Sequence, residues 1–123
     1  MQKGINIFLG IFLVSLFALA GFKPIGRIYT NEPVFRGEQL DFNVNLLNSL
    51  HKRFDDITVR AFFYDLGDVV YANSLDLESR AIKRTNLFFE IPKDASCGEQ
   101  LVKITAGNSK FRDSKHVFVN IEC

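Results

Sequence analysis

Residues 39–48, QLDFNVNLLN, decide how the chain is read. Leu40, Phe42, Val44 and Leu46 fall on one side of an extended backbone, Asp41, Asn43 and Asn45 on the other. A period of two is the mark of a strand with one face in a core and one in water. Residues 57–64, ITVRAFFY, repeat the pattern: Ile57, Val59, Ala61 and Phe63 point inward, and Thr58, Arg60, Phe62 and Tyr64 outward. Asp65-Leu66-Gly67-Asp68 then reads as a hairpin turn in which Gly67 takes a positive φ, with residues 69–73 as the returning strand.

Downstream, residues 85–91, TNLFFEI, set Leu87, Phe89 and Ile91 on one face, and Pro92 ends the strand by removing a backbone donor. Residues 100–106 pair with 115–121 across the loop 107–114, with Val102, Ile104, Val117, Val119 and Ile121 inward. Residues 76–84, DLESRAIKR, fit an exposed connection better than a helical turn. Residues 26–29 and 33–36 are short edge-strand candidates. About seven strands with turns near every tenth residue, and no amphipathic helix, predict an all-β fold: a single immunoglobulin-like β-sandwich of antiparallel strands over residues 33–123. Residues 21–32 read as a linker.

Before the linker, residues 5–22, INIFLGIFLVSLFALAGF, carry no charge. Lys3, the apolar run and Ala18-Leu19-Ala20 together have the three parts of a signal peptide, with a cut that leaves Gly21 first. A retained membrane anchor competes, since a helix of this length spans roughly 27 Å. A buried core helix fits poorly because no face is polar. Residues 1–20 are therefore a signal peptide or an anchor helix, and the rest of the chain is extracytoplasmic, either secreted or held at the cell surface.

Composition narrows the classes. Apolar residues make up 47% and charged residues 24% of the 123, which excludes a disordered polar chain and a multi-span membrane protein. Fifteen Lys and Arg stand against 14 Asp and Glu, and this balance argues against a nucleic-acid partner. Cys97 and Cys123 are the two cysteines, and in a small exported domain they read first as a disulfide. In a hairpin centred near residue 110, partner numbers total about 220, as 97 and 123 do. The inward valines imply a register one residue away from that, which a bulge or an asymmetric loop would absorb.

Chemistry-bearing patterns are sparse. His51 and His116 have no metal-ligand neighbours at suitable spacing, and Asp55 and Asp56 point apart with too few oxygens for calcium. No nucleophile elbow and no phosphate loop occurs. The expectation is therefore no catalytic residues, no metal and no cofactor: not an enzyme. The loops 51–56 and 107–114 belong at one end of such a sandwich. They offer His51, Lys52, Arg53, Phe54, Lys110, Phe111 and Arg112 as binding-loop candidates for an anionic glycan or an envelope protein. The plainer alternative, which we favour, is that the cations are solvated and Phe54 and Phe111 cap the core. Phe62 and Tyr64 either form a contact surface or lie under the 76–84 connection, the latter being preferred.

Residues 37–47 (GEQLDFNVNLL), 58–67 (TVRAFFYDLG) and 89–106 (FEIPKDASCGEQLVKITA) resemble the CARDB (cell-adhesion-related) and S-layer-associated immunoglobulin-like domains of archaeal and bacterial cell-surface proteins. The resemblance implies an extracytoplasmic sandwich with an adhesive or structural role and no catalysis. Its partners would be envelope proteins or glycans, and the membrane if the N-terminal segment is retained. The alternative is a pilus or thread-type filament subunit assembling through that segment.

Overall fold

The computed structural model describes residues 21–123, so the segment 1–20, read from sequence as a signal peptide or anchor, lies outside the described residues. Nine strands follow one another: β1 (Ile25–Thr30), β2 (Val34–Phe35), β3 (Gln39–Leu47), β4 (Phe54–Phe63), β5 (Asp68–Tyr71), β6 (Leu75–Leu77), β7 (Ile82–Glu90), β8 (Gly98–Gly107) and β9 (Arg112–Glu122). The described residues contain no helix, and the chain is all-β.

Strand β3 is the middle of a three-stranded sheet, order β1-β3-β7. It pairs with β7 without interruption from Gln39↔Glu90 to Leu47↔Ile82. Its inward row, Leu40, Phe42, Val44 and Leu46, is fully buried, as alternation requires. The larger sheet runs β2-β9-β8-β4-β5, with β6 beside the start of β4. Ile57, Val59, Ala61 and Phe63 of β4 and Val102 and Ile104 of β8 face the same core. The sheets curl around it as a half-barrel. Phe63 bridges them, stacking on Phe89 at 4.2 Å and meeting Phe42 at 6.0 Å. Fully burying a Phe side chain contributes roughly 1.5–3 kcal/mol, so this contact fastens the sheets together.

Several expectations change. The strands number nine rather than about seven, and β2 runs parallel to β9 while the other pairs are antiparallel. The stretch read as a linker, 21–32, is built into the fold: Phe22 is core and residues 25–30 form β1. Most of the supposed connection 76–84 is sheet. Leu77 is fully buried beside Phe54, the turn falls at Ser79 and Arg80, and β7 starts at Ile82. Leu75 and Leu77 flank Asp76 in the period of two, but over too few residues to stand out. This segment runs along the first half of β4, so it does not cover Phe62 and Tyr64.

Cys97 and Cys123 are bonded, with their Cα atoms 5.9 Å apart. Of the two explanations for the offset, a bulge between β8 and β9 is ruled out: pairing is unbroken from Gly98↔Ile121 through Val102↔Val117 to Gly107↔Arg112. The one-residue offset falls between Cys97 and the first rung, at Gly98, whose φ of 100° is a backbone turn that glycine takes readily. The bond is compatible with an oxidising, extracytoplasmic compartment.

Candidate functional site

The β3–β4 and β8–β9 loops meet at one end of the fold. Asn108 organises the second loop: its Oδ1 accepts from the backbone N–H groups of Lys110 (2.8 Å) and Phe111 (3.2 Å), and its Nδ2 donates to the Asp55 carbonyl at 2.9 Å. Such side-chain to backbone bonds are the usual way Asn shapes a tight loop. The space between the loops is a cavity of about 390 Å³ lined by Arg53 to Asp56, Thr58 and Gly107 to Lys110.

The structure brings the sequence candidates together but gives them different tasks. Phe54 and Phe111 are buried, 2% and 6% exposed, and pack with Phe22 at centroid distances of 4.5, 4.9 and 5.2 Å. They cap the core. Arg53 is ion-paired to Asp55, Asp76 and Glu78, which cancels its charge locally. Its guanidinium pKa is raised, first by the hydrogen bond to Asp55 and then by the surrounding carboxylates. The Asp76 carboxyl is held below its ordinary value, chiefly because the Asp56 backbone N–H donates to it at 3.0 Å. His51 and Lys52 are exposed, and the Lys52 ammonium sits 5.8 Å from the Phe54 ring centre. Lys110 and Arg112 are exposed beside the cavity. Among the described residues no cluster of three His, Cys, Asp or Glu side chains is placed to hold a metal.

A second feature continues from that cavity along the outer face of the larger sheet. A depression of about 120 Å³ is lined by Thr58, Arg60, Tyr71, Thr105, Gly107, Asn108 and Arg112. Another, of about 250 Å³, is lined by Arg60, Phe62, Val69, Lys103 and Thr105. Shared walls join the three into one trough running along β4 and β8. Pairing explains it: Arg60 lies between Tyr71 and Thr105, and Phe62 between Val69 and Lys103. Arg60, Lys103 and Arg112 form no ion pair among the described residues, and carboxylates line only the loop end, at Asp55 and Asp56. Beyond Phe62, Tyr64 stacks on His116 with a 3.0 Å contact between its hydroxyl and Nε2.

Of these residues the sequence pointed to Arg60, Phe62 and Tyr64 as an outward row, and to Arg112 in the loop. It missed Lys103, Thr105 and Tyr71. The signal for Lys103 and Thr105 was present, since both alternate with inward Val102 and Ile104; only the strand order puts them beside Arg60.

No family model matches the chain, and no curated protein is similar to it. Solved structures share its fold. The alkylpurine DNA glycosylase AlkC of Pseudomonas fluorescens, bound to DNA containing an abasic site analog, aligns over 81% of this chain and 30% of its own, with a TM-score of 0.62 at 12% identity. Spo0M, a sporulation control protein from Bacillus subtilis, aligns over 83% of this chain and 51% of its own, with a TM-score of 0.58 at 14% identity. The chain thus spans less than a third of one and about half of the other. At these identities the likeness establishes the fold alone.

Two expectations are corrected by the first of these structures. The lack of catalytic motifs was read as excluding an enzyme, and the even charge balance as excluding a nucleic-acid partner. A DNA glycosylase solved on DNA carries this same fold, so neither exclusion stands. The charge argument failed for a physical reason. A net charge averages over the surface, whereas binding depends on one face, and here Arg60, Lys103 and Arg112 share the outer face of the larger sheet without an ion pair among the described residues.

Proposed function

We propose that the chain is an exported immunoglobulin-like module of the cell envelope, related to the CARDB-like and S-layer-associated domains, with a binding, adhesive or structural role. The observation that carries the reading is the uncovered trough on the larger sheet, with unpaired cations and exposed rings where a purely structural sheet needs neither. The strand orders support the immunoglobulin-like part: β1-β3-β7 and β9-β8-β4-β5 match the A-B-E and G-F-C-C′ orders of variable-type domains. Export is supported by the uncharged run at residues 5–22 and by the Cys97–Cys123 bond.

The test is fractionation of expressing cells, with N-terminal sequencing and thiol alkylation of the recovered chain. The expected result is a chain outside the cytoplasm, beginning at Gly21 or still anchored, with no free thiol. A cytosolic chain with two alkylated cysteines overturns the reading.

A further inference from the structure

We propose that the trough along β4 and β8 is a docking site for a linear acidic polysaccharide, one whose sugars carry carboxylates. The inference rests on the binding-module reading above and names its ligand class. Arg60 and Lys103 are diagonal neighbours across adjacent strands, about 7–8 Å apart at the backbone. Arg112 stands further along, toward the loop end. Cations spaced along a groove match an anion that repeats along a chain, and a guanidinium holds a carboxylate through two parallel hydrogen bonds. Thr58 supplies a hydroxyl of the kind sugar hydroxyls need, and Phe62 supplies an apolar patch for a sugar ring.

The competing polyanion is a single-stranded nucleic acid, which uses open aromatic faces as stacking platforms. On this sheet Phe62 and Tyr64 are packed edge to face, 5.0 Å apart at 75°, and Tyr64 is stacked on His116. Those faces are occupied, and the trough's one open ring is Tyr71, 64% exposed, where a single strand needs a succession of platforms; Arg60, Lys103 and Arg112, by contrast, form no ion pair among the described residues. The arrangement therefore favours the sugar polymer.

The probe is oligogalacturonate, titrated calorimetrically into the full chain in mild detergent with its disulfide intact. Neutral galactan oligomers and an oligothymidylate of similar length serve as comparisons. Oligogalacturonate should bind, weaken as salt rises from about 50 to about 200 mM, and outbind both comparisons. The double variant Arg60→Gln, Lys103→Gln should lose affinity by roughly tenfold or more. Its unfolding midpoint should match that of the parent. The pair Lys23→Gln, Lys93→Gln, away from the trough, should bind as the parent does. Equal loss in both pairs, equal binding of galactan, or tighter binding of oligothymidylate overturns the proposal. Absence of oligogalacturonate binding also overturns it, and leaves the export reading to be judged by fractionation.

Discussion

Asn48 closes the stretch that sets the fold, yet it is buried for a reason unlike that of the leucines before it. Its Nδ2 donates to the carbonyls of Lys52 (2.6 Å) and Glu78 (3.0 Å), with the Leu77 carbonyl sharing at 3.4 Å, and its Oδ1 accepts from the Leu50 N–H at 3.0 Å. One amide thus satisfies backbone groups of the β3–β4 connection and of the turn after β6. An apolar replacement leaves those carbonyls without a donor, and a buried unpaired group costs about 1–3 kcal/mol. Asn48→Leu is expected to lower the urea-unfolding free energy by about 2 kcal/mol; an unchanged midpoint would mean water replaces the amide at no cost. A neighbouring residue carries the acid response. The Asp76 carboxyl has a depressed pKa in the folded chain, first from the Asp56 N–H and then from Arg53 and Lys83. A depressed carboxyl stabilises the fold above the unfolded value, near 4, and that contribution is lost as pH falls through the folded value. Asp76→Asn should therefore be less stable than the parent at neutral pH, with the two stability curves converging below about pH 4. Parallel curves throughout the acid range would show that Asp76 is not the group that titrates.

Among the elements, the β8–β9 hairpin shows how much the sequence revealed and where it stopped. Alternation over residues 100–106 and 115–121 was enough to find both strands and their inward valines, and the cysteine count with the hairpin's partner numbers pointed to the disulfide. The exact offset was not legible, because it falls between Cys97 and the first pair at Gly98, whose positive φ leaves no trace in periodicity. Strand β6 was missed because three residues hold too few alternations to be told from a loop. Phe54 and Phe111 do cap the core, the reading the sequence favoured, although a Phe next to a turn looks the same in sequence whether it faces water or the interior. The trough lay beyond reach for another reason, since it depends on which strands are neighbours and alternation does not say. The loop of this hairpin carries its own test. A Cβ on Gly107 would sit 2.6 Å from the Phe111 carbonyl oxygen and 3.2 Å from the Arg112 Cα, both backbone atoms that cannot swing aside. Gly107→Ala should cost about 1–3 kcal/mol, the usual range for overpacking, and speed amide exchange near Thr105 while leaving Val102 protected. Uniform exchange along β8 would show that the strain spreads instead of staying at the loop.

For the molecule as a whole, the last strand is held at both ends by different means. At its start Phe111 packs with Phe22 and Phe54; past its end Cys123 is bonded to Cys97. The 11 residues of β9 separate these fastenings by roughly 35 Å at about 3.3 Å per residue. Phe22 matters beyond its own burial, because it ties the beginning of the described chain to the strand that ends it. Truncating a core Phe to Ala costs about 3–5 kcal/mol, and the low end suits a residue so near the start of the fold. Losing a crosslink that closes 26 residues costs about 3.5 kcal/mol in the chain-entropy account. For a domain near 100 residues that is a fall of roughly 15–25 °C in unfolding midpoint. Phe22→Ala and the pair Cys97→Ser, Cys123→Ser share no contact, so their costs should add to within about 0.5 kcal/mol. Together they remove about 6–7 kcal/mol, much of the stability a domain of this size has, and the combined variant should be largely unfolded at 37 °C by circular dichroism. A combined loss well below the total of the separate ones would mean that freeing one end of β9 already loosens the other. The strand would then be a single cooperative fastening.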